Sequence, residues 1–206
     1  MKKKYINVIF DINQRDGVKE MTISAYLAGP DVFYPNPEEI GRLKKELCKK
    51  YGIIGVYPLD LAPSDLFSGK YNKSQIAKII KNGCTKGIED TTILIANLAP
   101  FRGISMDAGT AFEMGYADAL NRPIYGYTND RRTYLEKVSE YDICLKTETD
   151  IIIDGKGQMV EDFGKIDNCM ITESCGNLFY SNPEDQYGLI ALETTLQYIS
   201  SYMRQE

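Results

Sequence analysis

The chain has 206 residues, room for one well-packed α/β domain and too few for two of comfortable size. Its net charge of −5 argues against a nucleic-acid or anionic-membrane surface as the main partner, and the Lys2-Lys3-Lys4 run is too short to change that. There is no histidine, which excludes Ser-His-Asp and Cys-His catalysis and histidine-bound metals; with 29 acidic residues, carboxylates are the first place to look for chemistry.

Five cysteines with no C-x-x-C pair suit reduced thiols in a cytoplasm better than disulfides or a zinc site. No apolar run is long enough to span a bilayer, and the first residues carry charge without a signal-peptide core.

Apolar runs alternate with segments of helical period, the pattern of a parallel α/β sheet. Tyr5–Ile12 offers a possible edge strand within an N-terminal extension, residues 1–21. Thr22–Ala28 is the first confident strand, stopped by Gly29-Pro30. A helix is predicted from Pro37 to about Lys50, with Ile40, Leu43 and Leu47 on one face. Ile53–Tyr57 reads as a strand, Ser74–Ile88 as a helix, and Thr92–Asn97 as the clearest buried strand. A helix from Asp107 to Leu120 and a strand over Pro123–Tyr127 follow. Beyond residue 128 the pattern weakens. Ile151–Ile153 resembles a strand entering the turn Asp154–Gly157, Ile166–Thr172 a fifth strand or a loop, and Glu184–Met203 a closing helix. One domain over residues 1–206 is expected, an open flavodoxin-like (Rossmann-like) sheet of about five parallel strands flanked by helices. In such sheets ligands bind beyond the carboxyl ends of the strands.

The stretch Asn97–Ala117, NLAPFRGISMDAGTAFEMGYA, carries the candidate chemistry. Asp107 stands where an N-cap is expected, and Glu113 follows in the second turn among Ala108, Gly109, Ala111, Gly115 and Ala117. Two interior glycines each cost roughly 1 kcal/mol against alanine, so a close approach that benefits from them is expected. Most glutamates so placed are simply solvated, and helix position alone does not single this one out.

The run GTAFEMGYA, preceded by NLAPFRG and an aspartate six positions before the glutamate, resembles the nucleoside 2-deoxyribosyltransferase family. Tyr26–Phe33 looks like the family's first strand and its loop. Asn82 matches a polar position that helps hold the base in relatives, some of which carry Asp there. Phe163-Gly164 followed by Asn168-Cys169-Met170 is similar to a segment that a neighbouring subunit contributes to the site.

The resemblance implies transfer of deoxyribose between bases of 2′-deoxyribonucleosides through a covalent deoxyribosyl–Glu113 intermediate, without cofactor or metal. It makes Tyr26 the group that orients Glu113 and places Asp107 near the sugar hydroxyls. Phe33, Phe101, Arg102 and Gly109 become substrate contacts, together with Asn82. Asn168 and Met170 would act across the interface of a homo-oligomer. An amide at residue 82 cannot supply a proton, so the acid that assists the leaving base is open between Asp107 and water. The partners expected are a deoxynucleoside and a free nucleobase.

Two other readings stay open. One is an N-glycoside hydrolase of deoxynucleosides or deoxynucleotides using the same glutamate; the other is a nucleoside sensor without catalysis. Phosphate-using relatives carry glycine, serine and arginine after the first strand and a serine where Asp107 stands. Here that loop has Asp31 and no basic residue, so an unphosphorylated substrate is expected.

Overall fold

The computed structural model describes residues 23–203, and the expected strand at Tyr5–Ile12 lies outside them. Strands β1 (Ile23–Ala28), β2 (Ile53–Val56), β3 (Ile93–Asn97), β4 (Ile124–Thr128) and β7 (Asn177–Tyr180) form one sheet in the order β2-β1-β3-β4-β7. Every pairing in it is parallel, with Tyr26 opposite Leu94 and Leu94 in turn opposite Ile124. Helices α1 (Pro37–Lys50), α2 (Lys73–Asp90), α3 (Ala108–Ala119) and α6 (Leu189–Met203) flank it. This is the flavodoxin-like architecture expected from the alternation of apolar runs and helical periods.

The period-2 geometry of β1 sorts its buried side chains between two layers. Ala25 and Leu27 pack with Cys48 of α1 and Leu192 and Leu196 of α6. Tyr26 and Ala28 face the opposite layer, with Ile88 of α2 and Met114 and Ala117 of α3. The chain reverses strand order between β1 and β3, so the loops after these strands diverge and open a crevice at the carboxyl edge.

Helix boundaries follow their caps. Asn72 and Gln75 form a reciprocal capping box, so α2 starts at Lys73 and not at Ser74. Asp185 Oδ2 accepts from the backbone N–H groups of Ile190 and Ala191, which moves the start of the last helix from Glu184 to Leu189.

Two expectations for the last third are corrected. Ile166–Thr172 is not a strand: Asn168 caps a single turn, α5 (Cys169–Thr172), because its Oδ1 takes the Met170 N–H. The fifth strand is Asn177–Tyr180, bounded by Gly176 on one side and Ser181-Asn182-Pro183 on the other. Ile152–Ile153 (β6) does enter the turn at Asp154–Gly157, and pairs antiparallel with Leu145–Lys146 (β5) beside α4 (Tyr134–Tyr141). Among the described residues no helix is long and apolar enough to cross a membrane.

Candidate active site

Asp107 is the N-cap of α3: its Oδ2 accepts from Thr110 N at 2.9 Å and from Thr110 Oγ1 at 3.0 Å. The cap fixes the start of the helix and thereby the direction of every later side chain. Met106, just before it, is tied down by Asp167, whose Oδ2 accepts the Met106 N–H at 2.8 Å. Two turns on, Glu113 points back over β1, where Oε1 accepts a hydrogen bond of 2.5 Å from the Tyr26 hydroxyl. Tyr26 is fully buried between β1, α2 and α3.

Burial pushes the Glu113 carboxyl up to about 7; hydrogen bonds from Tyr26 and Cys84 oppose the shift, and the charge of Asp107 adds to it. The Tyr26 phenol is raised far above its ordinary value, by burial first and by Glu113 next, so it remains a donor at all ordinary pH. A carboxyl raised toward neutrality by burial while a buried donor holds it in place is a common device of functional sites.

Glu113 and Asp107 line a cleft of about 680 Å³ beyond the carboxyl ends of β1 and β3. Its remaining walls are mostly apolar: Val32 and Phe33 after β1, Leu59, Leu61, Leu66 and Phe67 after β2, and Ile80 on α2. Phe33 stacks on Phe101 with ring centroids 5.4 Å apart. The Arg102 guanidinium lies over both rings, 4.7 Å from the Phe101 centroid and 5.3 Å from that of Phe33. Phe33 thus reaches the cleft directly, while Phe101 and Arg102 back it at the rim.

Gly109 also lines the cleft, and a Cβ there would stand 3.0 Å from Asp107 Oδ2, so the glycine leaves the capping carboxylate its room. No such contact exists at Gly115, where a Cβ would meet open space. The close approach expected of both glycines is found at one.

Two sequence expectations are changed, those for Asn82 and Asp31. Asn82 is exposed and does not line the cleft; α2 turns Ala77, Ile80, Lys81 and Cys84 toward it instead. Asn168 and Met170, expected to act at the cleft of a neighbouring copy, do not line this chain's own. The Asn168 amide donates to Glu161 Oε1 at 2.7 Å, and Met170 is 79% exposed. Asp31 does not present its charge to the cleft, because it is buried and ion-paired to Lys44 Nζ at 2.5 Å, with Asn97 Nδ2 donating to its other oxygen. Asp31 therefore does not repel a phosphate in the cleft. Lys81 and Cys84 went unnoticed in the sequence, although their spacing with Ala77 and Ile80 marks one helical face.

A sequence profile described as nucleoside 2-deoxyribosyltransferase matches residues 25–170, from the strand of Tyr26 through α3 to Met170. An uncharacterized protein of Schizosaccharomyces pombe is 38% identical over 122 residues, 56% of this chain and 54% of that protein. The chain spans about half the length of that curated relative. The solved structure of a 2-deoxyribosyltransferase from Leishmania mexicana is 25% identical, with a TM-score of 0.60 over 87% of this chain and 97% of that one. The profile takes in the strand, loop and helix that form the cleft, and the chain belongs to the nucleoside 2-deoxyribosyltransferase family.

Proposed function

We propose that this protein transfers 2-deoxyribose between nucleobases, with Glu113 as the nucleophile. The observation that carries the reading is the 2.5 Å bond from the buried Tyr26 hydroxyl to Glu113 at the wall of an apolar cleft. Tyr26 engages Oε1, which leaves the second carboxylate oxygen to attack C1′ of the sugar. As the C1′–N bond breaks, its electron pair leaves with the base, which takes a proton from water or Asp107. The positive charge that builds at C1′ is balanced by the carboxylate, and the product is a glycosyl ester on Glu113. An acceptor base then attacks C1′ through a ring nitrogen, loses its proton, and returns the pair of the C1′–O bond to Glu113.

Asp107 is suited to the sugar hydroxyls because its Oδ2 is engaged by Thr110 while the carboxylate still faces the cleft. The leucine and phenylalanine wall suits a flat base, with Phe33 at its edge. We place Asn168 and Met170 at the cleft of a neighbouring copy. The exposure of Met170, with that of Phe163 and Phe112 at 62% and 53%, supports such an interface. The five free thiols support a cytoplasmic setting.

Incubation with deoxyinosine and excess adenine tests the reading. Transfer yields deoxyadenosine, absent with Glu113→Ala; hypoxanthine without new nucleoside would mean hydrolysis by the same glutamate. No consumption of purine or pyrimidine deoxynucleosides would overturn the enzyme reading, and turnover by Glu113→Ala would remove the nucleophile.

A further inference from the structure

The face that α2 turns to the cleft is set by helical spacing. Ala77, Ile80, Lys81 and Cys84 recur at three, four and seven residues, so they form one stripe. Cys84, at the inner end, lines the same cleft as Glu113. Lys81 stands one turn nearer the mouth, roughly 5 Å along the helix axis. It is the sole cation among the described residues that line the cleft. Of the other lysines near it in sequence, Lys70 pairs with Asp65 and Lys86 with Asp90, while Lys73 and Lys78 do not line the cleft. Among the described residues Lys81 forms no ion pair and its side chain no hydrogen bond; besides the helical ladder, its carbonyl accepts from Thr85 Oγ1.

The cleft that Lys81 lines is walled in part by Leu61, Leu66, Phe67 and Ile80. Such a surface accepts a planar aromatic ring, and a single donor at its border reads one polar edge of that ring. We infer that Lys81 holds an exocyclic carbonyl oxygen of the nucleobase, and so makes the cleft favour oxo-bases such as hypoxanthine over adenine. This rests on the glycosyl-transfer reading of the site.

The chemistry gives the lysine more than a binding role. When the C1′–N bond breaks, its electron pair is left on the base nitrogen and delocalises onto the conjugated carbonyl oxygen. An ammonium at that oxygen meets charge that grows as the bond breaks, so its attraction is greatest in the transition state. Adenine presents an amino group at the corresponding position. An ammonium has three donors and no acceptor, so neither group is satisfied there. A 5′-phosphate is the competing anion, but one ammonium in an apolar wall is a poor seat for a dianion that calls for several donors.

The test measures kcat/KM with deoxyinosine, deoxyadenosine and deoxyinosine 5′-monophosphate for the intact protein, Lys81→Met and Lys81→Arg. Calorimetry of free hypoxanthine and adenine binding accompanies it, and circular dichroism verifies folding. In Lys81→Met the ratio of deoxyinosine to deoxyadenosine should fall roughly ten- to hundredfold, the size of a lost charge-assisted hydrogen bond. Lys81→Arg should keep most of that ratio, and hypoxanthine binding should weaken more than adenine binding in Lys81→Met. An unchanged ratio, or a loss confined to the monophosphate, overturns the assignment. If the intact protein turns over none of the donors, the transfer reading fails by itself. The calorimetry then decides for Lys81: selective loss of hypoxanthine binding supports it, and equal binding overturns it.

Discussion

Under the proposed mechanism Glu113 is subject to two opposed demands: burial favours its neutral form, and a nucleophilic carboxylate must be charged. The Tyr26 hydrogen bond moderates the conflict by stabilising the carboxylate. Tyr26→Phe should move the acid limb of the kcat/KM profile above its expected place near pH 7 and lower the neutral rate about tenfold. A limb that stays in place would show that Tyr26 does not tune Glu113. The same shift has a cost in stability. Between pH 4.5 and about 7 the folded chain keeps a proton on Glu113 that the unfolded chain has released. That stabilising contribution is complete below 4.5 and is lost as pH rises through 7. Glu113→Gln should therefore be inactive but more stable than the native chain at pH 8, by roughly 1–3 kcal/mol, with the two converging near pH 4. Urea midpoints at both pH values test this. Asp107 carries two roles that substitution can separate. Asp107→Ala should lose the cap, about 1 kcal/mol, along with activity, whereas Asp107→Asn should keep most of the stability and lose the rate. Asp107 was legible as a cap because a cap is local, whereas Glu113 was singled out by the family resemblance and not by its helix position. The Tyr26–Glu113 contact spans 87 positions of sequence, and only the family resemblance suggested it before the fold was known.

Among the elements, α2 shows most clearly where sequence reading stops. Its existence and length follow from periodicity, but which residues meet the cleft depends on rotation about the helix axis. Neighbouring residues lie about 100° apart around that axis, which is enough to put Lys81 in the cleft and Asn82 in solvent. The missing fifth strand has a different cause. Asn177–Tyr180 has only four residues and becomes a strand by pairing with β4, a long-range condition that no local pattern states. Conversely, Asn168 competes locally for a backbone N–H and turns the apolar Ile166–Thr172 segment into a capped helical turn. The approach of α2 to β1 also sets Tyr26 in place. A Cβ at Gly87 would come within 2.5 Å of Leu61 Cδ1 and 3.1 Å of the Tyr26 ring. Gly87→Ala should cost roughly 1–2 kcal/mol by overpacking and depress activity. Adding Leu61→Ala should restore part of the stability. Thermal melts of the single and double variants measure it, and an unperturbed single variant would mean that α2 shifts freely.

For the molecule as a whole, the proposed sharing of sites makes a sharp prediction. Glu113→Ala leaves Asn168 and Met170 intact, and an Asn168→Ala, Met170→Ala double variant leaves Glu113 intact. If copies complete one another, mixing these two inactive proteins under exchange should restore activity, because hybrid assemblies contain whole clefts. Continued inactivity after verified exchange would show that each chain works alone. The parallel order of the central sheet was readable from the alternation of strands and helices, whereas the ion pair of Asp31 with Lys44 under the cleft floor was not. Charges in a sequence carry no sign of whether they face a substrate or a buried partner.

The two walls of the cleft stand on separate pieces of chain. Glu113, Asp107 and Tyr26 belong to α3 and β1, while most of the apolar wall comes from residues 58–67 and the first half of α2. Within that second wall Leu61 and Cys84 pack against the cluster that holds Tyr26, whereas the exposed Leu59, Phe67 and Ile80 can change without disturbing the β1–α3 contact. Appetite for different bases can therefore drift over evolutionary time while the bond-breaking machinery is inherited whole, and the 58–67 loop is the cassette to exchange between relatives when a new base is wanted.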